Sequence, residues 1–193
     1  MGHAGGEGAC RIGAAVILTG AAITAAVERR EIVIDPFDPA EVNPNSCNYR
    51  LGPEVHRVYA PRPGSADVAH ERLTPVDGRF LLRRGNLYLG HTVERIGSEQ
   101  YVTSLIGRSS IGRLGLFVQL SADLGHCGAV HRWTLELLPA LDIYVYPGQV
   151  IGQVSFWSVL GQPPPYAGWY GRHDHPMPSK LHAPVPHAVA SAR

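Results

Sequence analysis

The chain has 193 residues, with 17 lysines and arginines against 16 aspartates and glutamates, 45% hydrophobic and 17% charged residues, and a formal net charge of +1. That length supports one domain with a real core. The near-neutral balance excludes a general electrostatic case for nucleic-acid or membrane binding and leaves room for a local basic pocket.

In chain order, residues 1–16 are rich in Gly and Ala and read as a flexible extension. The apolar run "IGAAVILTGAAITAAV" (12–27) raises the question of an export signal. The segment before it is Gly-rich with a single arginine, a poor basic leader, and a membrane span needs about 20 apolar residues. Cys10, Cys47 and Cys127 are odd in number and show no paired spacing, which favours a reducing compartment. The expectation is a cytoplasmic protein. Thr19 is placed to cap a short helix through "GAAITAAVERR", with Ile23, Ala26 and Val27 on one face. "EIVIDPF" follows as a short strand stopped by Pro36.

From there the pattern is β-like. "RFLLRRGNLYLGHTVERI" (79–96) predicts two strands around Arg84-Gly85-Asn86, and "WTLELLPALDIYVYPGQVIGQVSFW" (133–157) predicts several more. Pro147-Gly148 suits a type II turn, since Pro fixes φ and Gly accepts positive φ. Many short strands with regular turn signals point to a sandwich, barrel or jelly roll. The Pro- and His-rich segment from 163 to 193 reads as a C-terminal arm able to close over a site, leaving 17–162 as the β domain.

Ten histidines invite a zinc reading, through His126, Cys127 and His131 in "HCGAVH" and His173 and His175 in "HDH". Neither paired CxxC nor HExxH is present, so scattered histidines are the better account. The nucleophile-elbow and Walker patterns are absent as well. What remains is "GRSSIGRLGL" (107–116) and Glu136 in "WTLELL". Arginine forks suit phosphate, serines add hydroxyl donors, and glycines let backbone approach oxygens closely. Alternation puts Leu135 and Leu137 on the face opposite Glu136. On residue types alone, a structural ion pair between Glu136 and Arg113 and a chemical site fit equally well.

The blocks "NPNSCNYRLG", "GRSSIGRLGL", "SA" (121–122), "TLEL" and "PGQVIGQVSF" occur in the order seen in dCTP deaminases, which the chain resembles from about Ile17 to Lys180. These belong to the trimeric dUTPase-like superfamily. The resemblance implies a distorted β-barrel or jelly roll with a short N-terminal helix, and a homotrimer with sites between subunits. It implies no nucleic-acid or membrane partner, and no metal for the chemistry, with magnesium accompanying the triphosphate. Glu136 would activate a water for attack on C4 of cytosine and then shuttle the proton. Ser109 and the Ala122 carbonyl would hold that water, and Arg113 would orient Glu136. Arg108 and Ser110 would meet phosphate, Arg108 from a neighbouring subunit. Gln119, Leu120, Ser121 and Ala122 would read the base edge.

The departures bear on substrate. His126 stands where the family has the aspartate that contacts the sugar, and His131 replaces a glycine. In the arm, Trp169 replaces the phosphate-binding lysine and His173 a glutamine, while Tyr166, Tyr170 and Ser179 match and Lys180 stands for arginine. The leading expectation is dCTP deamination to dUTP and ammonia. The alternatives are the same chemistry on another cytosine nucleotide (a monophosphate, ribonucleotide or modified base) or a non-catalytic nucleotide-binding trimer. The missing aspartate weighs against simple dUTPase activity.

Overall fold

A computed structural model describes residues 16–60, 68–119, 121–168, 170–171 and 173–179. The chain is mainly β, as the pattern predicts. Helix α1 (Gly20–Glu28) opens it, capped by the Thr19 hydroxyl, which accepts from the Ala22 N–H at 3.3 Å. Its buried face carries Ile23 and Ala26. Strands β1 (Val33–Asp35), β2 (Val42–Asn43), β3 (Ser46–Arg50), β4 (His56–Val58), β5 (His70–Arg72), β6 (Phe80–Leu82), β7 (Leu87–Gly97) and β8 (Tyr101–Gly107) follow. A single helical turn, α2 (Ser109–Gly112), separates β8 from β9 (Leu116–Val118). The chain continues through β10 (Leu124–Gly125), β11 (Val130–Pro139), β12 (Ile143–Val145) and β13 (Val150–Ser158).

Three antiparallel sheets result. The first runs β5-β4-β7-β11-β9, and β1 also pairs with β7. The length of β7 makes this possible: β4 pairs with Leu87–Leu89 and β1 with residues 95–97, leaving the other edge to β11. The second sheet runs β10-β8-β13-β3-β2, and β6 pairs with β12 in a third. The two strands foreseen in 79–96 are therefore present, but they join different sheets.

One core serves both larger sheets. Leu135, Leu137, Ile96 and Tyr88 reach it from the first, and Tyr49, Leu105, Val154 and Phe156 from the second. Each such side chain contributes about 1.5–3 kcal/mol of burial. Tyr49 lies across Gly152, where a Cβ would collide with its ring, and donates its hydroxyl to the Ile106 carbonyl at 3.0 Å. Burial raises its phenol pKa, which keeps that hydroxyl a donor. The Pro147-Gly148 turn forms as expected, with Gly148 at φ +79° and the Gln149 N–H donating to the Tyr146 carbonyl at 3.1 Å. Cys47 and Cys127 are free and buried. Among the described residues, no helix is long and apolar enough to cross a membrane.

The pairing of β7 with β11 shifts register between Arg132 and Thr134, where β7 spends three residues, Thr92 to Glu94, against Trp133 alone. The Thr92 hydroxyl repairs the ladder by accepting from the Trp133 N–H at 2.9 Å and donating to the Glu94 carbonyl at 2.7 Å. The Glu94 carboxylate, 2% exposed, accepts from Arg50 Nε at 2.7 Å and from the Arg50 backbone N–H at 2.9 Å. Beyond this irregularity, Thr134 and Glu136 line a cavity.

Candidate active site

The cavity has a volume of about 870 Å³ and lies over β11. Strict alternation builds its chemical side. Leu135 and Leu137 are fully buried in the core, while Thr134 and Glu136 line the cavity. The segment between β9 and β10 supplies the adjoining lip with Gln119 and Ala122, joined by Leu124, His126 and Ala129 from the rest of the hairpin.

Glu136 is fixed by this lip at three points. Its backbone N–H donates to Gln119 Oε1 at 2.7 Å, and its carbonyl accepts from the Gln119 N–H at 3.1 Å. The Ser121 hydroxyl donates to its Oε2 at 3.3 Å. The second half of the Gln119 amide donates to the Ala122 carbonyl at 3.2 Å. Glu136 and Ala122 thus line the cavity with the Ser121 hydroxyl bonded to the carboxylate and the Gln119 amide tying the Ala122 carbonyl to the Glu136 backbone, a set that can hold a water and move its proton.

The far wall is aromatic. The rings of His131 and Trp133 lie 4.3 Å apart, and the indole N–H donates to the Ile96 carbonyl at 2.8 Å. His131 is 5% exposed, and burial pushes its pKa down despite the backbone carbonyls of Arg132 and His173 beside it. Its Nδ1 lies 2.9 Å from the Arg132 carbonyl. His126 stacks on Tyr166 with centroids 5.2 Å apart and planes at 18°. Where an acidic sugar contact was the reference, the chain presents a stacked imidazole.

The arm runs over this wall. The Tyr166 N–H donates to the Cys127 carbonyl at 3.0 Å, and the Met177 N–H to the Thr134 hydroxyl at 3.0 Å. Asp174 pairs with Arg95 at 3.0 Å and accepts from the Arg132 N–H at 3.3 Å, while His175 lies 3.5 Å from Glu54. Tyr166, Tyr170 and residues Met177 to Ser179 line the cavity.

Of the residues singled out from the sequence, Glu136, Gln119, Ala122, His126 and Tyr170 line the cavity, and Ser121 reaches Glu136. Arg108, Ser109, Ser110 and Arg113 do not line it. Arg108 caps α2 at its start and Arg113 at its end, on the segment between β8 and β9. His173 sits in the arm beside His131. Leu120, Trp169 and Lys180 lie outside the described residues. Among the described residues, no three His, Cys, Asp or Glu side chains are grouped to hold a metal ion.

Sequence reasoning missed the wall from β4, where Arg57, Val58 and Tyr59 line the cavity. Arg57 donates to Asn86 Oδ1 at 2.7 Å and stands 4.9 Å above the Tyr59 ring. It also missed Thr134, although the period-two rule that exposed Glu136 exposes Thr134 equally.

Residues 17–159 match the family model described as dCTP deaminase-like. The chain belongs to the dCTP deaminase-like family. It is 40% identical over 158 residues to the "dCTP deaminase, dUMP-forming" of Cytophaga hutchinsonii, covering 79% of this chain and 89% of that relative. It is 38% identical over 155 residues to the dCTP deaminase of Rhodopirellula baltica, covering 79% and 78%. A crystal structure of the 2'-deoxycytidine 5'-triphosphate deaminase from Agrobacterium tumefaciens shares the fold, with a TM-score of 0.60 and 24% identity over 75% of this chain. The present chain spans 48% of that longer one. The protein is accordingly an enzyme, a dCTP deaminase-like hydrolase of cytosine nucleotides.

One expectation is overturned. The motifs signal deamination alone, which implies dUTP as the product. The dUMP-forming name recurs among further relatives at 36–38% identity, so dUTP is not the end product their names give. Forming dUMP takes a second hydrolysis, at phosphorus, for which the motifs read from the sequence gave no separate signal.

Proposed function

We propose that the chain converts dCTP and two waters into dUMP, ammonia and pyrophosphate. The observation that carries this reading is Glu136, which lines the cavity with its carboxylate bonded to the Ser121 hydroxyl and its backbone tied through Gln119 to the Ala122 carbonyl. The names of its relatives supply the substrate and the product.

In the first hydrolysis, Glu136 takes a proton from a water held against the Ala122 carbonyl, and the oxygen adds to C4 of cytosine. The same carboxyl protonates N3, then takes the proton of the new C4 hydroxyl and delivers it to the departing amine, so one group serves as base and acid. The C4–N bond breaks and ammonia leaves. In the second hydrolysis a water attacks the α-phosphorus and the bond to the β,γ unit breaks, releasing pyrophosphate. Magnesium belongs to the substrate, as the counter-ion of the triphosphate.

The phosphate side of this reading needs a second copy of the chain. Arg57 is the one arginine or lysine among the described residues that line the cavity. The resemblance assigns phosphate to Arg108 and Ser110, the water to Ser109 and the orientation of Glu136 to Arg113, all on α2 or capping it and outside the cavity of their own chain. A homotrimer that lays α2 of one subunit against the cavity of the next unites the two halves. Exposed Leu114, Phe117, Leu138 and Leu141, clustered around β9 and the end of β11, provide an apolar face for that assembly.

Incubation of purified protein with dCTP, CTP, dCMP, CMP and dUTP, with ammonia and pyrophosphate measured separately, tests the reading. Both products are expected from dCTP, in equal amounts. Ammonia chiefly from another cytosine nucleotide would favour the second reading, which the stacked His126 at the sugar position motivates. Tight binding of dCTP without turnover would replace the reading with a nucleotide-binding role.

A further inference from the structure

We propose that Gln119 is a positioning residue whose side-chain amide locks the Glu136 backbone and the Ala122 carbonyl into one frame. The proposal rests on the deaminase reading of the cavity for its catalytic consequence and on geometry alone for its structural one.

Gln119 is a non-glycine residue at φ +52°, and it is 8% exposed. A left-handed conformation in such a residue persists where surrounding interactions over-determine it. Here they do. The Gln119 N–H donates to the Glu136 carbonyl at 3.1 Å, Oε1 accepts from the Glu136 N–H at 2.7 Å, and Nε2 donates to the Ala122 carbonyl at 3.2 Å. The partners allow one amide orientation, since the N–H of Glu136 needs an acceptor and the carbonyl of Ala122 needs a donor.

Glutamine suits this place because it carries an acceptor and a donor at one length. Leucine has neither, and an ionised glutamate has acceptors alone and would turn a carboxylate oxygen toward the Ala122 carbonyl. One amide hydrogen and one lone pair of the amide oxygen are used in this clip. It leaves the second lone pair of the Ala122 carbonyl for a water or an exocyclic amine in the cavity. The span from that carbonyl to the Glu136 carboxylate is thereby set before substrate arrives, and deamination depends on that spacing.

The variants Gln119→Gly, Gln119→Leu and Gln119→Glu test this. Gln119→Gly accepts the backbone conformation and removes only the amide, so it separates the clip from backbone strain. In Gln119→Gly, kcat for ammonia release should fall about 10–100-fold with KM within about threefold of wild type, as expected for a misplaced reacting group. Gln119→Glu should regain activity relative to wild type as pH falls, because the protonated carboxyl again donates to Ala122, and Gln119→Leu should not. Independently of turnover, hydrogen exchange at the Glu136 backbone N–H should quicken at least about tenfold in Gln119→Gly and Gln119→Leu, because its acceptor is gone. Unchanged Glu136 exchange would overturn the clip. Faster exchange with an unchanged kcat would overturn the positioning role. If wild-type protein releases no ammonia from any cytosine nucleotide, the deaminase reading fails by itself, and the exchange measurement alone decides the clip.

Discussion

The two segments richest in chemistry behave oppositely. The hairpin from Gln119 to Glu136 is assembled within one chain: Glu136, Ser121 and Ala122 are linked by hydrogen bonds through the carboxylate and the Gln119 amide, and Glu136, Gln119 and Ala122 line a cavity. The segment from Arg108 to Arg113 has the more distinctive sequence, yet its short helix lies outside that cavity. The difference teaches that motif strength and site completeness are separate properties. A hairpin can preassemble its groups because β11 is held by β7 and β9 on its two edges. A four-residue helix has little of its own to bury and finds its role against something else, in the proposed function a second subunit.

The sharpest way to break the comparison is to remove the group that makes the hairpin a site. Glu136→Gln keeps size and polarity and deletes the proton shuttle, so kcat for ammonia release should fall by about 10²–10⁴-fold or more. Binding of dCTP, measured by calorimetry, should stay within a few-fold of wild type. Ammonia release near the wild-type rate would remove Glu136 from the chemistry and leave the hairpin a structural feature.

Next in size is the test of sharing. Arg113→Ala should cost about 10²-fold or more in kcat if α2 completes the site of another subunit, because a charge-assisted contact is lost in a dry pocket. Arg113→Ala and Glu136→Gln chains, unfolded together and refolded as a mixture, should then recover activity that neither has alone. Each mixed boundary with an intact hairpin on one side and an intact α2 on the other forms a working site. A mixture no more active than its components would place both groups in one chain's site and dissolve the contrast drawn here.

A smaller effect is expected from the arm. Asp174 holds it to β7 and β11 through Arg95 and the Arg132 N–H, far from Glu136 in the bonding scheme. Both partners are partly exposed, so the pair is worth little to global stability. Asp174→Asn should raise KM for dCTP about 3–10-fold and change kcat by less than about twofold, since one partly exposed polar contact is worth roughly 1 kcal/mol. A fall in kcat without a change in KM would mean that the arm serves the chemistry rather than the retention of substrate.

Much of the hairpin was legible in the sequence, and for a physical reason. Alternation is a local rule, so "TLEL" alone places Leu135 in the core and Glu136 outside it, and Thr19 and Pro147-Gly148 announce a cap and a turn through their own backbone preferences. What was not legible depends on partners distant in the chain. The wall from Arg57 to Tyr59 exists because β4 pairs with the start of β7, and nothing in "HRVYA" names that partner. "RFLL" and "NLYLG" are adjacent and both are strands as predicted, but their sequences do not say that β6 goes to β12 and β7 to β11. In "HCGAVH" the histidines were read as departures from a pattern. That His131 would lie against Trp133, and His126 against Tyr166 forty residues on, follows from the register shift at Trp133 and from the arm's path. The dUMP-forming names of the relatives were not legible either, because none of the motifs read from the sequence signals hydrolysis at phosphorus.

The smallest effect separates the foundations of the two segments. His91 on β7 pairs across from Thr134, and His131 lies on β11 itself, so the hairpin stands on two buried imidazoles. Burial lowers both pKa values from the ordinary 6.5, against the opposing pull of Glu54 on His91 and of Asp174 on His131, while Arg132 and His175 reinforce the shift at His91 and the charge of His173 that at His131. The folded state therefore binds fewer protons than the unfolded chain once pH falls below that value. Stability is full above about pH 7 and is lost as pH drops through 6.5 toward the folded-state values. Tm should fall between pH 7.5 and 5.5, with each kcal/mol lost lowering it by about 2–4 °C in a chain of this size. The segment from Arg108 to Arg113 contains no histidine, so hydrogen exchange there should follow pH through the intrinsic rate alone, while protection of residues 130–137 declines. His131→Gln should flatten the dependence of Tm on pH, since an uncharged amide replaces a group that must charge on unfolding. A slope unaltered in both His131→Gln and His91→Gln would mean that the acid sensitivity lies elsewhere, and that the hairpin is no more dependent on buried imidazoles than the helix beside it.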